Sequence, residues 1–324
     1  IVSTVTRTSK GHPYMEIAPL TSRDTYAWAM LLAVCFERTP ADMVRLLGWL
    51  QNMGQFIAWG AWDGDRLAAQ YACLLRPLHT PDGMVPAGMS INMAVHPDYR
   101  GRGLVRQVAA PVYDTVRDCG GEIGLGFSNA AGVKVDRHSK GYGYRVVGQM
   151  QPLIGLPRRV NQDALYLTDT FPADGHVDCA QRSISGNSFM KSPADLCRRY
   201  AAHPFRQYRY GVLREGDGVR GVVVYREVMF GGMRGVALLD AIGDDLPALI
   251  QHWGGAVHAD GASIVHALTT PDAPLRHALG AAMPIFRQPY TRNPHYLTVK
   301  SLNDKPPDRL YDFKRWYFTG GDIL

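Results

Sequence analysis

Cysteine is scarce and unpatterned in this sequence: Cys35, Cys73, Cys119, Cys179 and Cys197 are odd in number and widely spaced. There is no C-x-x-C pair and no Cys/His cluster at ligand spacing, which excludes a disulfide framework and a cysteine-built metal site. Reduced thiols are expected, and with them a cytoplasmic protein that holds no metal. Long apolar runs are missing too. The longest, Ala27 to Phe36, covers about ten residues where a bilayer needs ~20, so it reads as a core helix and no membrane is expected as a partner. The first residues lack the charged-then-apolar order of a secretory signal, and the chain opens at Ile1 rather than Met, so its natural start is expected upstream. Charge of one sign is only mildly in excess. Thirty-five Lys+Arg against 29 Asp+Glu give +6, which suits phosphate-bearing or carboxylate-bearing small partners but is too dispersed to imply nucleic acid.

What is present is a globular composition. Hydrophobic residues make up 46% and charged residues 20%, enough apolar material for a real core and unlike a disordered chain. At about 100–200 residues per domain, 324 residues predict two domains. Trp28, Leu31, Leu32 and Cys35, then Met43, Leu46, Leu47 and Leu50, recur at helical spacing on either side of Arg38-Thr39-Pro40-Ala41-Asp42, a cap and proline start. Two helices are expected there. Phe56 to Trp62 and Arg66 to Leu75 flank Asp63-Gly64-Asp65 as a hairpin, and Ser90 to Val95 is a third strand ended by His96-Pro97. Leu104 to Arg117 is a helix in which Pro111 predicts a kink. Ile123 to Phe127 is a strand, Gly132 to Lys140 a helix, and another strand starts at Tyr144.

Pro152 to Val160 reads as a Pro/Arg-rich joint, after which the theme returns. Arg209 to Arg214 and Val219 to Val228 form a hairpin around Glu215 to Gly218. Arg234 to Ile242 is a strand, Leu246 to Val257 a helix, Ser263 to Thr269 a strand and Pro274 to Ala282 a helix, with Tyr296 to Val299 and Trp316 to Thr319 as final strands. The expectation is an α/β fold with mixed sheets, in two similarly folded lobes of residues 1–155 and 156–324.

The stretch with chemistry in it is Ile91-Asn92-Met93-Ala94-Val95-His96-Pro97-Asp98-Tyr99-Arg100-Gly101-Arg102-Gly103-Leu104-Val105-Arg106. A strand ends in a proline turn, a glycine-rich loop carries cations, and a helix begins. Such a loop presents free backbone N–H groups and a positive helix terminus to an anion, and Gly101 and Gly103 let the backbone approach it without Cβ atoms in the way. A diphosphate is the natural guest, although two glycines between a strand and a helix also serve simply to turn a chain.

The spacing resembles the acetyl-coenzyme A loop of the GNAT N-acetyltransferase family, whose signature is Arg or Gln, two residues, Gly, one residue, then Gly or Ala. Arg100, Gly103 and Val105 fall on those positions, and Val105 departs from the usual small residue, narrowing the space expected beside the pyrophosphate. The resemblance implies acetyl-CoA or another acyl-CoA as co-substrate. It implies that the splayed strand at Met93, Ala94 and Val95 pairs with the pantetheine arm, with Asn92 as a positioning group. It also implies that the N–H groups of Arg100, Gly101, Arg102, Gly103, Leu104 and Val105 hold the diphosphate. Asn129, after the next strand, matches an Asn that often contacts pantetheine in the family, and it equally suits a helix cap.

Acyl transfer to an amine needs a neutral nucleophile, a polarised thioester carbonyl and a proton for the departing thiolate. The family often uses a Tyr about four residues before a Gly-aromatic pair. Here the pair is Gly143-Tyr144 and that place holds Ser139, a weak acid. His138 beside it has an imidazole suited to proton transfer near pH ~6.5, and Tyr142 is a third candidate. Neighbours on a helix differ by ~100° in direction, so His138 and Ser139 cannot fill one role together. No carboxylate lies on Ser90-Ile91-Asn92-Met93, where relatives frequently carry a Glu; Asp240 and Asp322 are remote candidates for the base, each more readily read as a surface or turn carboxylate. His96 reads as a turn residue.

In the second lobe Asp240, Asp244 and Asp245 surround Gly243 where the first lobe has its cations, so this lobe is expected to repel a diphosphate. It is expected to complete an acceptor pocket, support the first lobe or build a homodimer contact. The expected activity is transfer of an acetyl or other short acyl group to a primary amine of a small molecule: an amino sugar, an amino acid or a natural-product intermediate. Two other readings stay open: a non-catalytic acyl-CoA sensor or scaffold, and an aminoacyl-tRNA-dependent ligase similar to the peptidoglycan-bridge enzymes.

Overall fold

Local chemistry sets the element limits, and the turns read from the sequence do close hairpins. The computed structural model describes residues 15–137, 143–160, 165–172, 186–216, 218–289, 291–303 and 307–323. Its first half gives β1 (Glu16–Pro19), α1 (Thr25–Phe36), α2 (Pro40–Asn52), β2 (Gln55–Asp63), β3 (Arg66–Thr80), β4 (Gly83–Val95), α3 (Leu104–Asp118), β5 (Ile123–Ser128), α4 (Ala130–Arg137) and β6 (Arg145–Gln149). The second half gives β7 (Gln151–Gly155), β8 (Leu165–Thr168), β9 (Ser188–Phe189), α5 (Pro193–Leu196), β10 (Arg209–Glu215), β11 (Gly218–Phe230), β12 (Met233–Gly243), α6 (Leu246–Ala259), β13 (Ile264–Thr269), α7 (Pro274–Ala282), β14 (Ile285–Arg287) and β15 (Tyr296–Ser301). The Thr39 hydroxyl accepts the Asp42 amide at 3.1 Å and Pro40 fills the first helical position, so α2 starts where the cap was read.

The described residues divide into two compact units, one drawn from 1–78, 84–147 and 296–311, the other from 79–83, 148–295 and 312–324. In the first, the sheet runs β1-β2-β3-β4-β5-β15-β6. β4 and β5 are parallel, from Ala87↔Ile123 to Met89↔Leu125, while β15 lies antiparallel to β5 from Tyr296↔Ser128 to Ser301↔Ile123. The apolar stripe of α3 (Val108, Ala109, Val112, Val116) is buried with Ile57, Tyr71 and Cys73, each large side chain contributing ~1.5–3 kcal/mol of transfer free energy. α3 continues as one helix through Pro111.

In the second unit the sheet runs β14-β7-β13-β12-β11-β10-β8. β12 and β13 form its parallel pair, and α6 and α7 pack Ile250, Trp253, Leu275 and Leu279 against Tyr225, Val236, Leu238 and Val265. Hairpin, strand, helix, strand, helix thus appears in both units.

Two readings need correction. The joint at Pro152 to Val160 begins with β7, which is hydrogen-bonded between β13 and β14. Pro152 lacks a donor, yet its carbonyl still accepts the Gln288 amide at 2.9 Å just past the end of β14, so the position keeps one bond on that side. The tail Trp316 to Thr319 is not a strand. Only isolated bridges form there, Asn187↔Trp316 and Thr269↔Thr319, between short 3-10 turns at Phe313–Arg315 and Gly320–Asp322. Of the helix expected over Gly132 to Lys140, the described part is α4.

Candidate functional site

In the first unit the ladder between β4 and β5 ends at Met89↔Leu125, and β4 continues to Val95. Asn92, in mid-strand, has a φ of 48°, a left-handed conformation that Asn tolerates better than branched residues do. Its carbonyl accepts from the side-chain amide of Gln70, a fully buried residue of β3. The strand is therefore turned locally at Asn92, and Met93 and Val95 follow half-buried.

The loop after β4 is held by its own side chains. The His96 amide donates to the Ala68 carbonyl at 2.8 Å, and the His96 ring accepts the Asp98 amide at 3.3 Å, a turn role as read. Burial and then Arg66 push the His96 imidazole below its usual range, which keeps it neutral. Tyr99 is buried and donates its hydroxyl to Asp63 at 2.6 Å, while Arg66 and Arg102 lie over its ring, 5.5 and 4.8 Å from the centroid. The β2–β3 turn thus anchors the loop. Arg100 Nε and the Cys35 thiol both donate to the Val95 carbonyl, each at 3.4 Å.

Beyond this anchor lies the segment with capacity for an anion. Gly101 and Gly103 have φ of 80° and 74°, and a Cβ on either would meet nothing within 4 Å. Gly103 is the N-cap of α3, and no side chain caps that helix. Its first amides, backed by the helix dipole, with Arg100 and Arg102 exposed beside them, are available to phosphate oxygens. Val105 packs half-buried against the α3 core, so its branched side chain is engaged there. An anion cradle at the end of a splayed strand fits a coenzyme with a diphosphate and a long polar arm.

At the far side of the opening, Asn129 Oδ1 accepts the Gly132 amide at 2.9 Å and its carbonyl accepts from Val133 at 3.0 Å, which makes it the cap of α4. The Ser128 hydroxyl lies 3.4 Å from that of Thr298, which donates to the Gly126 carbonyl at 3.2 Å. His138, Ser139 and Tyr142 lie outside the described residues.

The sequence profile of the acetyltransferase (GNAT) domain matches residues 16–145. This segment is a GNAT domain. No curated protein matches the sequence. Among solved structures, a GCN5-related N-acetyltransferase from Anabaena variabilis superposes with a TM-score of 0.67 at 13% identity, over 89% of this chain and 73% of that one. Eis1 from Mycobacterium abscessus follows at 0.58 and 17%, over 87% and 72%. An N-myristoyltransferase from Saccharomyces cerevisiae, with bound myristoyl-CoA, gives 0.56 and 10%, over 90% and 84%. At these identities the likeness is one of fold, and it extends past the GNAT domain into the second half.

Two polar contributors to the GNAT domain's opening, Gln70 and Thr298, escape a motif search. Gln70 had one signal, as a lone amide within the apolar run Leu67-Ala68-Ala69-Gln70-Tyr71-Ala72-Cys73. Thr298 had none, because it arrives from a strand 170 residues away in sequence from its partner Ser128. Among the described residues no group of His, Cys, Asp and Glu is arranged to hold a metal ion, and no helix is long and apolar enough to cross a membrane.

In the second unit the three acidic residues do not form a repelling loop. Asp245 caps α6 through the Ala248 amide at 3.1 Å, and Asp244 pairs with Arg220 at 3.4 Å. Asp240 is 1% exposed and bonded to Lys191 at 2.5 Å. Asp322, also buried, lies 2.9 Å from the same Lys191. Both carboxylates are thus buried rather than at the surface, Asp322 within the 3-10 turn Gly320–Asp322. The Lys191 cation, outweighing burial, holds Asp240 below the usual carboxylate range.

Proposed function

We propose that the chain is an acyl-CoA-dependent N-acyltransferase, most simply an acetyltransferase. It would pass a short acyl group by direct attack, in a ternary complex, to the primary amine of a small molecule such as an amino sugar, an amino acid or a natural-product intermediate. The observation that carries the reading is the uncapped N-terminus of α3 behind Gly101 and Gly103, where a Cβ would meet open space, at the end of a strand that leaves its partner. In this reading the amides of Arg100, Gly101, Arg102, Gly103, Leu104 and Val105 bind the diphosphate, and Met93, Ala94 and Val95 offer strand edges to the pantetheine arm. Asn129, while capping α4, marks the opposite wall.

Bound acyl-CoA supplies the activated thioester. A β4 amide beyond the turn at Asn92 polarises the carbonyl oxygen, and holding donor and acceptor in one geometry supplies much of the remaining acceleration. Asn92 positions and does not deprotonate. The nitrogen gives up one proton as the amide forms and the thiolate leaves with one, supplied by His138, by Tyr142, by a water that Ser139 orders at the thiol, or by water or the coenzyme alone. The second lobe contributes structure or acceptor contacts rather than a second coenzyme site, and the protein works in the cytoplasm without a metal.

Calorimetric titration with acetyl-CoA, longer acyl-CoAs and free coenzyme A tests this reading. Micromolar binding at one site per chain is the expected result, and Gly103→Glu, which sets bulk and negative charge in the cradle, is expected to abolish it. Unchanged affinity in a folded Gly103→Glu protein overturns the loop assignment. The absence of a carboxylate on Ser90–Met93 favours one second reading, a non-catalytic acyl-CoA sensor. Thiol release from acyl-CoA with a panel of amines distinguishes enzyme from sensor, since a sensor binds and releases nothing.

A further inference from the structure

The second sheet opens as the first does. β12 and β13 pair in parallel from Gly235↔Ile264 to Leu238↔Ala267 and then stop, while β12 runs on to Gly243 and β13 to Thr269. In the first sheet the matching gap follows Met89↔Leu125. Here it is filled from within. The Thr270 amide donates to the Phe318 carbonyl at 2.9 Å, the Phe318 amide donates to the Thr270 hydroxyl at 3.0 Å, and Thr319 bridges to Thr269. Trp316 and Phe318 are fully buried, with ring centroids 5.3 Å apart, and Phe189 packs on Phe318 at the same distance.

On the β12 side the segment is held by a polar cluster in the core. Lys191 Nζ donates to Asp240 at 2.5 Å, to Asp322 at 2.9 Å and to the Thr319 hydroxyl at 3.1 Å. Thr319 donates in turn to Asp240 at 2.8 Å, Tyr200 donates to the other Asp240 oxygen, and the Thr319 amide donates to Asp322 at 2.9 Å. A Cβ on Gly321 would collide with Asp240 and Tyr200, so the backbone reaches the cluster only because that residue is glycine. Arg199 donates to the Ile323 carbonyl at 3.0 Å.

We propose that residues 316–323 are a built-in plug: the chain's own segment occupies the opening of the second sheet that corresponds to the coenzyme opening of the first, and Lys191 is its latch. The groove is built for a peptide rather than a nucleotide, with backbone pairing along Thr269 and Thr270, an apolar seat for two aromatic rings and a cation for the Asp322 carboxylate. That the first opening takes acyl-CoA rests on the reading above; the plug itself does not.

Hydrogen exchange on the full chain, with and without acetyl-CoA, separates the two. The expected result is that the amides of Phe318 and Thr319 are protected as well as those of β12 and β13 and do not respond to acetyl-CoA, whereas those from Arg100 to Val105 slow on binding. If Phe318 and Thr319 exchange like a free peptide, or lose protection when acetyl-CoA is added, the plug is overturned even though the loop responds. If they are protected and the loop is silent, the coenzyme reading fails and the plug stands. Lys191→Met is expected to speed exchange across Phe318 to Asp322 at least tenfold while core amides such as Val223 keep theirs. Should it fail to fold, Asp322→Asn, which keeps the shape, is expected to act in the same direction. No change in the variant that folds removes Lys191 as the latch.

Discussion

Asn92 holds a left-handed backbone within a strand, and its carbonyl accepts from the buried amide of Gln70. Replacing Gln70 by Leu keeps the size and leaves that carbonyl without its donor, a loss of about 1 kcal/mol on unfolding in urea. Because Gln70 sets the direction of the amides that follow, Gln70→Leu is also expected to weaken acetyl-CoA several-fold. A purely structural role would lower stability and leave the dissociation constant alone. Burial pushes His203 down to about 4, with Arg206 and Arg199 adding to the effect, and burial lowers His266 and His295 as well. The unfolded chain protonates these imidazoles near ~6.5 and the folded chain does not. Stability is therefore complete above that pH and is lost as pH falls toward 4. The urea midpoint at pH 5 is expected below that at pH 7.5; an equal or higher midpoint contradicts the burial of these rings. None of this was legible in the sequence, where a histidine shows its chemistry and not its surroundings. The left-handed backbone of the loop was legible, because Gly101 and Gly103 announce that conformation.

Elements were read well where one local rule decided them. Thr39-Pro40 started α2, Asp63-Gly64-Asp65 closed the β2–β3 hairpin, and the spacing from Leu104 to Val116 gave α3 its buried stripe. Thr39→Ala removes the cap on α2 and is expected to lower stability by about 1 kcal/mol, measurable as a shifted midpoint with unchanged cooperativity; no shift would mean the cap is idle. Reading failed where neighbours decide. Pro152 spoke for a joint because proline lacks a donor, yet at the end of a strand it still accepts, here from the Gln288 amide. The aromatic tail read as a strand because Trp316, Tyr317 and Phe318 favour β structure, whereas its pairing partners amount to two single bridges.

At the scale of the whole chain, strands are exchanged between the sequence halves. β7, early in sequence, lies in the second sheet, and β15, late in sequence, lies between β5 and β6 in the first. An alternating apolar pattern tells which face of a strand is buried but not which sheet receives it, so the exchange leaves no mark in composition or periodicity. Residues 1–155 expressed alone lack β15 and leave one edge of β5 bare, and they are expected to aggregate. Co-expressed with residues 156–324 they are expected to elute as a soluble one-to-one complex; a soluble, cooperatively unfolding 1–155 fragment would contradict the exchange.

The placement of β15 also orders events during synthesis. Thr298 and Gly126, which share a hydrogen bond, are 172 residues apart in sequence. Translation at ~5–20 residues per second leaves the N-terminal sheet incomplete for roughly ten to thirty seconds after β5 emerges. The usual order, in which an N-terminal domain folds while its successor is still being made, is closed to this chain. Its two halves must finish together, and in that interval the open edge of β5 is what a chaperone would need to cover.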